Sequence, residues 1–154
     1  MESIIASAIA VLGTLLGSGI TLAFQQRTTD RSQRFTRREK LRQERLDAYS
    51  AYAGALVNYR RCLVHLWFCQ HEQPPPEDPD AVRIRAYDLR SNAQEALFRV
   101  DMLTDDEGLR RAAADLLEVI MTLPKVDSRA GLDELRERTR TGISQLVGSA
   151  KQHL

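Results

Sequence analysis

The sequence predicts an all-α protein, with a single N-terminal transmembrane helix that continues into a cytoplasmic, antiparallel bundle of about four helices. Three observations carry this reading. Residues 3–24 (SIIASAIAVLGTLLGSGITLAF) are uncharged and mostly apolar, apolar residues recur at three- and four-residue steps beyond Leu46, and no segment alternates convincingly with a period of two. The expected divisions are a transmembrane anchor over 1–25, a basic juxtamembrane helical arm over 26–45 and a cytoplasmic helical bundle over 46–154.

As a helix the apolar run is about 33 Å long, which matches a hydrocarbon core of roughly 30 Å. A cleaved signal would need basic residues before the run and a small-residue cleavage site after it. Here Glu2 precedes the run and Gln25-Gln26-Arg27 follows, so a retained anchor is expected. Lys and Arg near a span stay on the cytoplasmic side. The expectation is therefore a single-pass protein of the cell membrane, with its N-terminus outside and its C-terminal domain in the cytoplasm. Ala6, Ala10, Gly13 and Gly17 step by four, three and four, a small-residue face on which two membrane helices can pack closely and oligomerise.

The arm follows at once. Residues 27–45 hold eight basic and three acidic side chains, whereas the rest of the chain beyond them holds fourteen and seventeen, so a net charge of +1 hides a basic patch. Arg27, Arg31, Arg34, Arg38, Arg42 and Arg45 are the candidate lipid- or anion-binding residues. Anionic lipid accounts for the first of them at about 1 kcal/mol each near the surface. Arg45 on an upright helix would lie roughly 30 Å from the interface, several screening lengths away, which points to an acidic protein surface or nucleic-acid phosphate at the far end. Aromatic interleaving is thin, with Phe35 alone, so any nucleic-acid contact would be non-specific.

In the bundle the first helix presents Tyr49, Tyr52, Ala53, Leu56, Leu63, Leu66 and Trp67 on one face and ends before the loop Gln73-Pro74-Pro75-Pro76-Glu77-Asp78-Pro79, where proline cannot continue a helix. A second helix from about Asp80 carries Val82, Ala86, Leu89, Ala93, Leu97, Val100 and Leu103. Thr104-Asp105-Asp106-Glu107 reads as a capping box with the Thr104 hydroxyl as the cap of a third helix, whose stripe is Leu109, Ala113, Leu116, Ile120 and Leu123. After Pro124 a final helix from about Arg129 presents Leu132, Leu135, Ile143, Leu146 and Val147.

Cys62, His65 and Cys69 share a helical face, which resembles half of a zinc site but lacks a fourth ligand, so core packing is the expected role and no metal is assigned. Both cysteines are expected to stay reduced in the cytoplasm. Trp67 and Phe68, with His65 and His71 nearby, read as the end of the core. The sequence contains no Gly-rich phosphate loop, Ser-His-Asp set or H-E-x-x-H motif, so no catalytic residue, no cofactor and no enzyme activity are expected.

Four passages, GTLLGSGITLAFQQRTTDR, LRQERLDAYSAYAGALVNYRR, EALFRVDMLTDDEGLRRAAADLLEVI and the short terminal helix, resemble a family of small actinobacterial membrane proteins labelled spread proteins or KilB-like proteins. The resemblance covers nearly the whole chain and implies a membrane component assisting plasmid transfer between hyphal compartments. The expected function is a non-enzymatic, membrane-anchored scaffold or adaptor with protein partners. The alternative is a membrane-tethered, non-specific nucleic-acid binder acting through the basic arm. A pore-forming peptide is disfavoured, because the span has no polar stripe beyond Ser and Thr.

Overall fold

A computed structural model describes the backbone of residues 2–154 and the side chains of residues 32–154. Four α-helices, α1 (Glu2–His71), α2 (Pro79–Leu103), α3 (Glu107–Met121) and α4 (Arg129–Ala150), are joined by short connections and two 3-10 turns, Leu123–Lys125 and Lys151–His153. There is no strand among the described residues. The chain divides into two compact units, Met1–Leu41 and Arg42–Leu154. In the first, every described side chain from 32 to 41 is exposed, Phe35 included.

Among the described residues no helix is long and apolar enough to cross a membrane. The expected span, with Ala6, Ala10, Gly13 and Gly17, and the first two arginines of the arm, Arg27 and Arg31, lie outside the residues whose side chains are described.

In the second unit, contacts between distant residues fix the helix directions. Arg45, near the start of this stretch of α1, bonds to Leu103 at the end of α2, while His65 meets Glu77 just before α2 begins, so α1 and α2 run antiparallel. Tyr49 meets Thr104 ahead of α3, and Trp67 meets Val126 beyond it, so α3 runs with α1. Arg129 lies over the Phe68 ring and Arg45 reaches His153, so α4 returns against α1. This is the up-down order that short connections impose.

The core follows the stripes expected from periodicity, with additions. Tyr52, Leu56, Val82, Ala93, Val100, Ala113, Ile120, Leu123 and Leu132 are all but fully buried, and Tyr59, Cys62 and Cys69 fill the α1 face between them. Two stripe positions shift. Leu117 rather than Leu116 is buried on α3, and on α4 Val147 is 50% exposed while the polar Thr139 is enclosed. Thr139 is tolerated because its hydroxyl is fully used, donating to the Leu135 carbonyl at 2.8 Å and accepting from Arg60 Nε at 2.9 Å.

The helix starts correct two expectations. Pro79 belongs to the first turn of α2 rather than to the loop, because the first turn needs no proline amide, and Asp78 caps it by accepting from the Asp80 amide at 3.1 Å. The capping-box reading is wrong by two residues. Asp106 is the cap of α3, accepting from the Leu109 amide at 2.6 Å, and Thr104 is buried with its hydroxyl on Tyr49 at 2.9 Å. A buried tyrosine hydroxyl must have a partner, and this need outweighs the local capping preference of Thr104.

Candidate functional site

One of the six candidate arginines, Arg45, lies at the end of the bundle formed by the C-terminal end of α2 and the last turn of the chain. Arg45 is engaged by the fold. Its Nε donates to the Leu103 carbonyl at 2.8 Å, its Nη1 to the His153 carbonyl at 3.5 Å, and its Nη2 pairs with Asp105 at 3.0 Å. The C-terminal ends of α2 and of the last turn leave carbonyls without intrahelical donors and carry partial negative charge. The last turn of α2 has no basic residue of its own. Arg45 supplies that charge from another helix, so its side chain has a structural role in the bundle.

The remaining arginines of the arm are different. Arg34 and Arg38 are exposed, as is Arg37, whereas Arg42 is exposed but not without a partner.

Beside the Arg45 clamp lies a cavity of about 430 Å³, lined by Leu46, Tyr49, Tyr52, Leu109 and Leu146, with Val147 and Lys151 among its other wall residues. It is almost free of polar surface because both tyrosine hydroxyls are occupied elsewhere, Tyr49 on Thr104 and Tyr52 on the Ala113 carbonyl at 2.8 Å. Water in such a space has too few partners. Sealed and empty, a space of this volume would cost on the order of 10 kcal/mol, as much as a domain's whole margin of stability. It has the size and the largely apolar lining to take an apolar group.

The other end of the bundle is packed for stability. Trp67 is in the core, its indole N–H on the Val126 carbonyl at 2.6 Å, its ring stacked on His71 at 4.1 Å and edge-on to Phe68 at 5.4 Å. Cys62 and Cys69 are buried free thiols. Burial raises the Cys62 thiol above its ordinary range, which makes it a poor nucleophile. His65 Nε2 meets Glu77 at 3.0 Å and Cys69 Sγ at 3.6 Å, while Cys62 donates to the Val82 carbonyl, so Cys62 stands apart from the other two residues of the half-zinc pattern. No group of three His, Cys, Asp or Glu among the described residues could hold a metal ion.

The sequence reading missed the cavity and the clamp. The cavity's walls come from α1, the end of α2, α3 and the end of α4, and no local pattern marks such a set. Arg45 differs from Arg38 only in what lies across from it in space.

Comparison with known proteins fits this architecture. The family model described as KilB plasmid transfer protein matches residues 46–154, the bundle without the arm. The chain is also similar to Protein KilB of Streptomyces lividans, with 29% identity over 142 residues that cover 92% of each chain. No solved structure matches.

Proposed function

Since this chain belongs to the KilB plasmid transfer protein family, we propose that it is a non-enzymatic, membrane-anchored adaptor that assists the spread of plasmid DNA between hyphal compartments. The observation that carries this reading is the family match over the bundle. The site chemistry supports an adaptor over an enzyme, since the polar side chains gathered at the bundle end are used by the fold and the cavity beside them is apolar.

Anchoring rests on the uncharged run over 3–24 followed by the arginine-rich arm, and it orients the bundle toward the cytoplasm. Membrane fractions washed with alkaline carbonate should retain the protein. Release by such a wash would remove the anchor from the proposal. Deleting the gene should lower plasmid spread between mycelia without lowering plasmid copy number, and equal spread with and without the protein would reject the role itself.

A second reading is favoured by the exposure of Arg34, Arg37 and Arg38: the arm binds duplex DNA or anionic lipid without sequence preference. DNA binding should then weaken steeply with salt and fall when Arg34 and Arg38 become Gln. Binding to neither DNA nor anionic vesicles would dismiss this reading.

A further inference from the structure

α2 carries two apolar stripes, and the fold uses one of them. Val82, Ala86, Ala93, Ala96 and Val100 are buried. On the opposite side Ile84, Tyr87, Phe98 and Met102 are 64, 62, 61 and 77% exposed. At about 3.6 residues per turn these four, with Ser91, Gln94 and Glu95 between them, fall within a sector of about 100°. Helix propensity does not call for Ile, Tyr or Phe on a solvated face, where Ala, Lys and Glu are better. Together the four side chains open on the order of 500 Å² of surface, near the upper size of an apolar patch on a monomer.

The charges bordering the stripe indicate its occupant. One border carries Asp88 and Glu95, and the other carries Arg83 and Arg90. Towards the end of the helix both signs change together, with Arg99 on the first border and Asp101 on the second. When two copies of this face meet with their helices parallel, the first border of each lies along the second border of the other. Arg83 then faces Asp88 of the second copy, Arg90 faces Glu95 and Arg99 faces Asp101, the flanking pairs that select partner and direction in paired helices. An antiparallel meeting sets Asp88 against Arg99 and Arg83 against Asp101 but leaves Arg90 and Glu95 without opposite charge.

Most of these charges are available. Asp88, Glu95 and Arg99 have no ion pair among the described residues, Arg83 holds only the exposed Asp80 at 3.1 Å, and Asp101 has a loose contact to Arg110 at 3.5 Å, whereas Arg90 is half-buried near Tyr59 with its Nε enclosed and without a hydrogen-bond partner.

We propose that the outer face of α2 is a homodimer interface, α2 packing in parallel against α2 of a second copy with Ile84, Tyr87, Phe98 and Met102 in the seam. Ser91 and Gln94 at its middle set register. The apolar stripe and its charged borders together approach the roughly 800 Å² per partner of a standard interface. The interface does not depend on the adaptor reading and is tested apart from plasmid spread.

The test uses the full chain in detergent micelles, labelled in two colours and read by energy transfer over a dilution series. R83E alone and D88R alone should each weaken dimerisation by roughly tenfold or more, because each sets like charges together. An equimolar mixture of the two should recover affinity to within about threefold of the unaltered protein, because the reversed charges now oppose one another. Y87E with F98E should leave monomers while helicity by circular dichroism stays unchanged, since both positions are exposed. A monomeric unaltered protein, a mixture no tighter than either variant alone, or a Y87E/F98E protein that still dimerises would overturn the proposal. Recovery in the D88R/R99D double variant instead of the mixture would overturn the parallel direction.

Discussion

Replacing Arg45 with Gln tests whether the boundary arginine belongs to the fold or to a ligand. The side chain is 22% exposed and makes a charge-assisted hydrogen bond to the Leu103 carbonyl, worth about 1.5–3 kcal/mol, of which partial solvation argues for the lower end. The pair with Asp105, a side chain 99% exposed, adds at most a few tenths, and the 3.5 Å contact to His153 adds little. The expected loss is about 2 kcal/mol, which for a cooperative unit of this size lowers Tm by roughly 6–10 °C. Circular dichroism melts of the full chain read the change. Arg45→Lys should regain less than half of it, because an ammonium keeps the charge near the helix ends but cannot reach both with one fork. Arg38→Gln, on an exposed side chain, should stay within about 0.5 kcal/mol of the unaltered protein. If Arg45→Gln melts with the unaltered protein, or if Arg38→Gln falls by as much, the clamp argument is wrong.

The Glu77 carboxyl is held below its ordinary range by hydrogen bonds from Arg85 first and His65 next. Its contribution to stability is complete above the unfolded carboxylate pKa of about 4.3 and disappears as pH falls through the lowered folded value, so Glu77→Gln should flatten the acid limb of a urea-midpoint-against-pH curve. Burial first, and Asp101 second, push the Tyr52 phenol up from its usual value, and the protonated form donates to Ala113. That stability is fully present below about pH 10 and is lost as pH rises toward the folded pKa, so phenolate absorbance from Tyr52 should appear with alkaline unfolding and not before it. Tyr52→Phe should cost about 1 kcal/mol, read as a shift of the urea midpoint at neutral pH. At Gly142 an added Cβ would come within 2.8 Å of Leu116 Cδ1, so Gly142→Ala should destabilise by about 1–2 kcal/mol and pairing it with Leu116→Val should recover part of that in a thermal melt.

What the amino-acid order determined by itself is whatever depends on neighbours within a few positions. Helix class follows from three-four periodicity, the break near 73–78 follows from missing proline amides, and the end of the third helix follows from Pro124. The second stripe of α2 was equally local, with Ile84, Tyr87, Phe98 and Met102 at helical spacing. It escaped notice because two opposed apolar faces weaken the one-sided signal that periodicity analysis seeks.

Tertiary structure decided the matters in which chemically equal residues part company. Arg45 and Arg38 are alike along the chain, yet one caps a helix 58 residues away and the other remains exposed. Thr104 has the form of a helix cap, but Tyr49, 55 residues earlier, claims its hydroxyl, and Asp106 caps the helix instead. Thr139 sits in the core only because Arg60, 79 residues earlier, donates to it. The physical reason is the same in each case. A polar group's role is set by whether it is buried and by what then satisfies it, and both depend on contacts between helices that local spacing does not encode.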